Sequence, residues 1–163
     1  MTQVEEIRSA LDAHSIIYEY AEHQPVMTID EFKEHEVYSK GLILKNLFLR
    51  DDKGKNMFVL TCLPDARIDM PQLAQSLGVK KLSFGSSERL MKHLQLLPGA
   101  VSPLGMVFDK QNSVTLVFDK ALQSHKGPVG IHPGSNAATV LLKFSELLRL
   151  LEAIGVEPIF IAV

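Results

Sequence analysis

The chain has 163 residues, 46% of them apolar and 22% charged. That is enough for one domain burying roughly 70% of its extended surface, with no second domain or disordered segment required. The single cysteine, Cys62, excludes an intramolecular disulfide and a paired-cysteine zinc cluster, and the six histidines form no close ligand pair, so neither a metal nor a cofactor is implied. Seventeen basic against nineteen acidic side chains give a net charge of -2, unlike a protein that grips DNA or long RNA by its phosphates, and leave only a local contact with RNA.

The N-terminus is polar and amphipathic, with no apolar signal core, and no later run reaches the roughly 18 apolar residues of a membrane span, so a cytoplasmic protein is expected. Val4, Ile7, Ala10 and Leu11 recur at helical spacing over residues 3–13, and IIYEYA at 16–21 alternates like a half-buried strand. Thr28 and Glu31 fit a capping box for a short helix to about His35. Residues 44–62, with the turn DDKGKN between two apolar runs, predict a β-hairpin.

Asp69, Pro71 and Gln72 open a helix that Gly78 closes. LSF at 82–84 is a short strand, and Ser86 or Ser87 caps a helix to about Leu94. MVFDKQNSVTLVFD reads as a second hairpin around DKQNS, its first strand starting near Gly105. ATVLLKF is a strand, Ser145 caps a helix ending near Gly155, and PIFIA is the last strand. About five helices among roughly eight or nine strands, with hairpins that demand antiparallel pairing, predict a single α/β domain with a mixed, largely antiparallel β-sheet flanked by helices.

Few residues carry obvious chemistry. No Gly-x-Ser-x-Gly elbow is present, and Cys62, inside FVLTCL, is a small core residue or a pocket wall. Lys45 interrupts an apolar run and either snorkels to solvent or holds a fixed ammonium toward a phosphate or ribose, while Asn46 faces the other side of the strand. The apolar loop Gly99, Ala100, Val101, Ser102 and Pro103 is either a turn leading into a strand or a source of backbone N–H groups for a substrate carbonyl or hydroxyl, a task that needs glycine for close approach and no reactive side chain. In IHPGSN, His132 is an exposed or capping residue, or else the wall of a site whose loop Asn136 fixes. Asp119, at the end of VTLVFD, is a turn residue or a partner for that loop.

Taken in order, KNLFLRDDKGKNMFVL, LSFGSSERL, LPGAVSPLG, VTLVFD and IHPGSNAAT resemble the YbaK/prolyl-tRNA synthetase-associated domain family of trans-editing deacylases, and within it the stand-alone ProX (PrdX) branch. The resemblance runs from HQPVMT near residue 23 to the last strand. It implies one aminoacyl-tRNA editing domain over 1–163 that hydrolyses mischarged tRNA(Pro), chiefly alanyl-tRNA(Pro), at the acceptor end, with prolyl-tRNA synthetase as a possible partner. It also implies that Lys45, followed by Asn46, contacts the tRNA terminus, that Gly99–Pro103 is the substrate-binding Gly-x-x-x-Pro loop, and that His132, Pro133 and Asn136 form the HPxxN element. Asp119 falls where the family often has an aspartate.

Ester hydrolysis there needs no protein nucleophile if the ribose hydroxyl of the terminal adenosine helps to place a water. The alternatives are editing of cysteine, serine or a non-protein amino acid, a non-catalytic module that binds the tRNA end beside a synthetase, and a purely structural or regulatory domain.

Overall fold

The computed structural model describes residues 1–163. Thr2 opens helix α1 (Gln3–Ala13) with a complete capping box, its hydroxyl accepting from Glu5 N–H while the Glu5 carboxylate accepts from Thr2 N–H. Strand β1 (Glu19–Glu22) follows, shifted C-terminally from the expected 16–21. The Thr28 hydroxyl accepts from Glu31 N–H as expected, but the Glu31 carboxylate accepts from Met27 N–H, one residue outside the box. Helix α2 (Ile29–Phe32) is therefore a single turn, and a 3₁₀ turn at Glu36–Lys40 continues the segment.

Beyond it come β2 (Leu42–Ile43), β3 (Lys45–Asp51) and β4 (Met57–Cys62). Then follow α3 (Met70–Leu77), capped by Asp69 and closed by left-handed Gly78, strand β5 (Leu82–Phe84), and α4 (Ser87–Leu94), capped by Ser86. The rest of the chain forms β6 (Val114–Asp119), β7 (Pro128–Ile131), β8 (Ala138–Lys143), α5 (Phe144–Ala153) and β9 (Ile159–Ile161).

The strands build two sheets, ordered β1-β8-β7-β2 and β5-β3-β4-β6-β9. The pairs β1–β8, β3–β4, β3–β5 and β7–β8 are antiparallel, whereas β2–β7, β4–β6 and β6–β9 are parallel. The expected α/β class with a mixed sheet and flanking helices is borne out, and the sheet is divided in two. The chain changes sheet at Leu44, between β2 and β3, and this residue still donates its N–H to Gly130 of β7 at 3.0 Å.

The main core lies between the two inner sheet faces and helices α1, α4 and α5, where Ile7, Phe48, Val59, Leu94, Phe118, Val140 and Leu150 are buried together. Helix α3 covers the outer face of the larger sheet, and α2 with its 3₁₀ turn covers the outer face of the smaller one. No helix is long and apolar enough to cross a membrane.

Two expectations fail for one reason, that a run of apolar residues reports burial and not the element that carries it. The predicted strand near Gly105 is a 3₁₀ turn, Pro103–Phe108, opened by Pro103 and capped by the buried Ser102 hydroxyl on Leu104 N–H at 3.1 Å. The second hairpin is therefore absent: β6 finds its neighbours in parallel β4 and β9, and DKQNS is a turn held by the buried Asp109 carboxylate, which accepts from Ser113 N–H, Ser113 hydroxyl and Val114 N–H. Ser145 does not cap α5, because the helix starts one residue before it and its N-cap position, Lys143, makes no side-chain capping bond. The short strands β2 and β7 were not expected at all, since two and four residues give too little alternation to read.

Candidate functional site

Where the chain passes from one sheet to the other, a cavity of about 460 Å³ opens along Leu44, Lys45, Asn46 and Leu47. Consecutive strand residues point to opposite faces, so a cavity touched by four in a row lies against the strand's edge. Gly99, Val101 and His132 line it too, with Val26, Met27 and Phe32 closing one side.

Lys45 stands opposite Cys62 in the β3–β4 register, and its ammonium is tethered to the Ala66 carbonyl at 3.3 Å. The side chain is half-buried at the cavity wall and is held in place, unlike a lysine that snorkels freely to solvent. Asn46 accepts from the Thr61 hydroxyl at 2.6 Å across the same ladder, which fixes the start of β3.

Gly99 sits at φ +88°, a left-handed conformation that glycine adopts without strain. A Cβ there would stand 2.9 Å from the Met27 sulfur. Ala100 N–H donates to the Leu97 carbonyl at 3.1 Å, whereas the N–H groups of Gly99 and Val101, both on the cavity wall, donate to nothing in the chain. Ala100, Ser102 and Pro103 are buried behind that wall: they shape the loop and do not face the cavity.

His132 stacks on Phe32, the ring centroids 5.8 Å apart and the planes 25° apart. Its Nδ1 lies 2.8 Å from the Ala138 carbonyl, which only accepts, so Nδ1 carries the proton and Nε2 is left as an acceptor. No buried side-chain nitrogen lacks a partner, so this unpaired Nε2 is reachable from solvent. Burial, with a smaller contribution from nearby His23, holds the imidazole below its ordinary pKa and keeps it neutral, while the bond to Ala138 opposes the shift.

The loop carrying His132 is tied to the segment before α2. The Asn136 amide donates to the Val26 carbonyl at 3.0 Å and to the Met27 sulfur at 3.3 Å, and Val26 N–H donates to the Asn136 carbonyl. Asn136 thus fixes the loop by tying it to residues 26 and 27 of the cavity wall. His23 reinforces this tie through Thr139, 2.8 Å from its Nε2.

Asp119 does not line the cavity. Its buried carboxylate accepts from Ala121 N–H at 3.0 Å and caps the 3₁₀ turn Lys120–Ser124. Cys62 is fully buried, and its thiol is pushed up to about 11, chiefly by burial and further by Asp119 against the opposing Lys45 cation, so it is no nucleophile at neutral pH.

The structure therefore brings together Lys45, Asn46, Gly99, Val101 and His132, with Asn136 behind them, and leaves Asp119 apart. Missed from the sequence were Val26, Met27 and Phe32, because an apolar wall residue carries the same signal as a core residue.

The sequence profile of the aminoacyl-tRNA editing domain matches residues 23–150. The chain is 41% identical over 145 residues to the prolyl-tRNA editing protein ProX of Acetoanaerobium sticklandii, covering 89% of this chain and 88% of that protein. It is 35% identical over 159 residues to prolyl-tRNA synthetase associated domain-containing protein 1 of Mus musculus, covering 96% and 94%. Among solved structures, a candidate trans-editing enzyme for prolyl tRNA synthetase shares the fold with a TM-score of 0.74 at 18% identity, covering 99% of this chain and 96% of that one. The profile spans every segment that contributes to the cavity, from Val26 to His132, and the chain belongs to the aminoacyl-tRNA editing domain family.

Proposed function

We propose that this chain is a trans-editing aminoacyl-tRNA deacylase that hydrolyses mischarged tRNA(Pro), with alanyl-tRNA(Pro) as its main substrate. Residues 1–163 act as one editing domain in the cytoplasm, engaging the acceptor end of the tRNA and working alongside prolyl-tRNA synthetase. The observation that carries this reading is the convergence of Lys45, Gly99 and His132, far apart in sequence, on one cavity in a chain of this family.

The chemistry follows from what the cavity offers. A water oxygen adds to the ester carbonyl carbon, the bond from that carbon to the ribose 3′-oxygen breaks, and the departing oxygen takes up a proton, leaving free alanine and a tRNA with an intact 3′-hydroxyl. The free N–H groups of Gly99 and Val101 suit the oxygen on which negative charge builds, and Lys45 suits the ribose or phosphate of the terminal nucleotide. The accepting Nε2 of His132 suits the neighbouring 2′-hydroxyl, which places the water. With no thiolate available from Cys62, direct attack by water is favoured over an acyl-enzyme.

A synthetase pocket sized for proline cannot exclude the smaller alanine, since a missing methylene is worth only about 1–3 kcal/mol, and a second, smaller site supplies the difference. The test is deacylation by the wild-type protein of alanyl-, cysteinyl-, seryl- and prolyl-tRNA(Pro). Hydrolysis of the alanyl ester with the prolyl ester spared is expected. Preference for the cysteinyl or seryl ester would move the specificity, and tight binding without hydrolysis of any ester would make the chain a binding module.

A further inference from the structure

Strand β3 is paired along its whole length by β4, but β5 accompanies only its C-terminal part, Leu49 to Asp51. In an antiparallel ladder, successive residues direct their peptide N–H and C=O to opposite edges. Gly85 N–H donates to the Phe48 carbonyl at 2.9 Å and Asp51 N–H to the Asn56 carbonyl at 3.1 Å, so even-numbered residues of β3 face β5 and odd-numbered ones face β4. Asn46 accordingly directs both of its peptide groups past the end of β5.

Continuing the register that sets Leu49 opposite Phe84 would put Ser87 opposite Asn46, but Ser87 already belongs to α4. The chain is diverted after Gly85, where a Cβ would stand 2.4 Å from the buried Phe48 ring, and Ser86 turns into the helix by capping Arg89 N–H. The N–H and C=O of Asn46 take no partner elsewhere in the chain, and the residue lines the cavity shared with Lys45, Gly99 and His132.

Resting on the deacylase reading above, we infer that the main chain of Asn46 binds the aminoacyl group as if it were the next residue of β5. An α-aminoacyl ester carries an ammonium donor and a carbonyl acceptor on one carbon, the arrangement that a strand residue offers in a hydrogen-bonded pair. The ammonium donates to the Asn46 carbonyl, and Asn46 N–H donates to the ester carbonyl oxygen, which becomes the oxyanion. Recognition of the α-amino group thus needs no carboxylate in the cavity, and it holds the ester in one register against the loop of Gly99 and Val101.

Two measurements test this. The first compares wild-type acceleration of alanyl-tRNA(Pro) hydrolysis with that of propionyl-tRNA(Pro), each relative to its own rate in buffer, because the propionyl ester keeps the methyl group and the carbonyl but lacks the amine. The alanyl ester is expected to gain at least about tenfold more, the scale of a hydrogen bond to a charged group. The second compares Asn46→Pro with Asn46→Ala. Both lose the bond to Thr61, but only proline lacks the N–H, and an open strand edge tolerates it.

With circular dichroism and thermal midpoints matched between the two variants, Asn46→Pro is expected to be at least about tenfold slower than Asn46→Ala. Equal acceleration of the two esters, or equal rates for the two folded variants, would overturn the inference while leaving the deacylase reading intact. No hydrolysis of either ester by wild type would overturn both, and if Asn46→Pro fails to fold, the ester comparison decides alone.

Discussion

Gly99 and His132 make different demands on their surroundings. At Gly99 the backbone φ of +88° is the constraint, since the Met27 thioether facing a new Cβ is the end of a flexible side chain and can move aside. A non-glycine residue in that conformation costs about 1–3 kcal/mol, and relaxing the strain turns the free amides of the loop. Gly99→Ala is therefore expected to stay folded and to lose on the order of 100-fold in kcat/KM, a typical loss for misplaced groups; wild-type kinetics in a single-turnover assay would contradict it. At His132 burial is the constraint, and the folded pKa lies below the ordinary 6.5. Between those two values the unfolded chain binds a proton that the folded chain does not, so stability is fully present above pH 6.5 and is lost as pH falls through the folded pKa. Thermal unfolding midpoints measured from pH 8 to 5 should fall more steeply for wild type than for His132→Gln, and parallel curves would contradict this origin. Lys45, Gly99 and His132 were legible because a polar interruption, a Gly-x-x-x-Pro loop and a histidine beside a Pro-Gly turn stand out in an otherwise apolar context. Asp119 stood out equally and proved to be a cap, because a carboxylate ending a strand gives the same signal whether it serves a site or a turn.

Among the elements, α3 was placed correctly by Asp69 and Gly78 and α4 by Ser86, whereas Ser145 does not cap α5. Apolar runs alone placed β8 and β9 but misled before β6. The stretch 103–119 looked like two strands because both halves are buried, whereas the first half is a 3₁₀ turn packed on α4 and the second is a strand between parallel neighbours. Parallel pairing is decided by residues far off in the chain, and no local turn signal reports it. The device separating the halves is Asp109, whose buried carboxylate gathers three donors from Ser113 and Val114. Asp109→Ala leaves those donors without their acceptor and is expected to cost about 1–3 kcal/mol in urea unfolding. An unchanged midpoint would mean that the turn is held by its backbone alone.

Over the whole molecule, the site exists because two sheets meet. Lys45 and Asn46 begin one sheet directly after Ile43 ends the other, His132 follows β7, and Asn136 precedes β8 and ties back to Val26. None of these positions is set by a single element, which is why sequence reading found the residues without finding the cavity or the strap of residues 26 and 27 along its wall. The modest net charge of -2 agrees with an enzyme that holds the end of a tRNA by local contacts. On the proposed function, this junction is where the ester is hydrolysed. Single-turnover deacylation of alanyl-tRNA(Pro) by wild type and by Lys45→Ala tests it most directly, with the folding of both proteins checked by their thermal midpoints. A fall of roughly 10²- to 10³-fold in the folded variant is expected, the range for losing one well-aimed donor, and a rate equal to wild type would mean that hydrolysis takes place elsewhere.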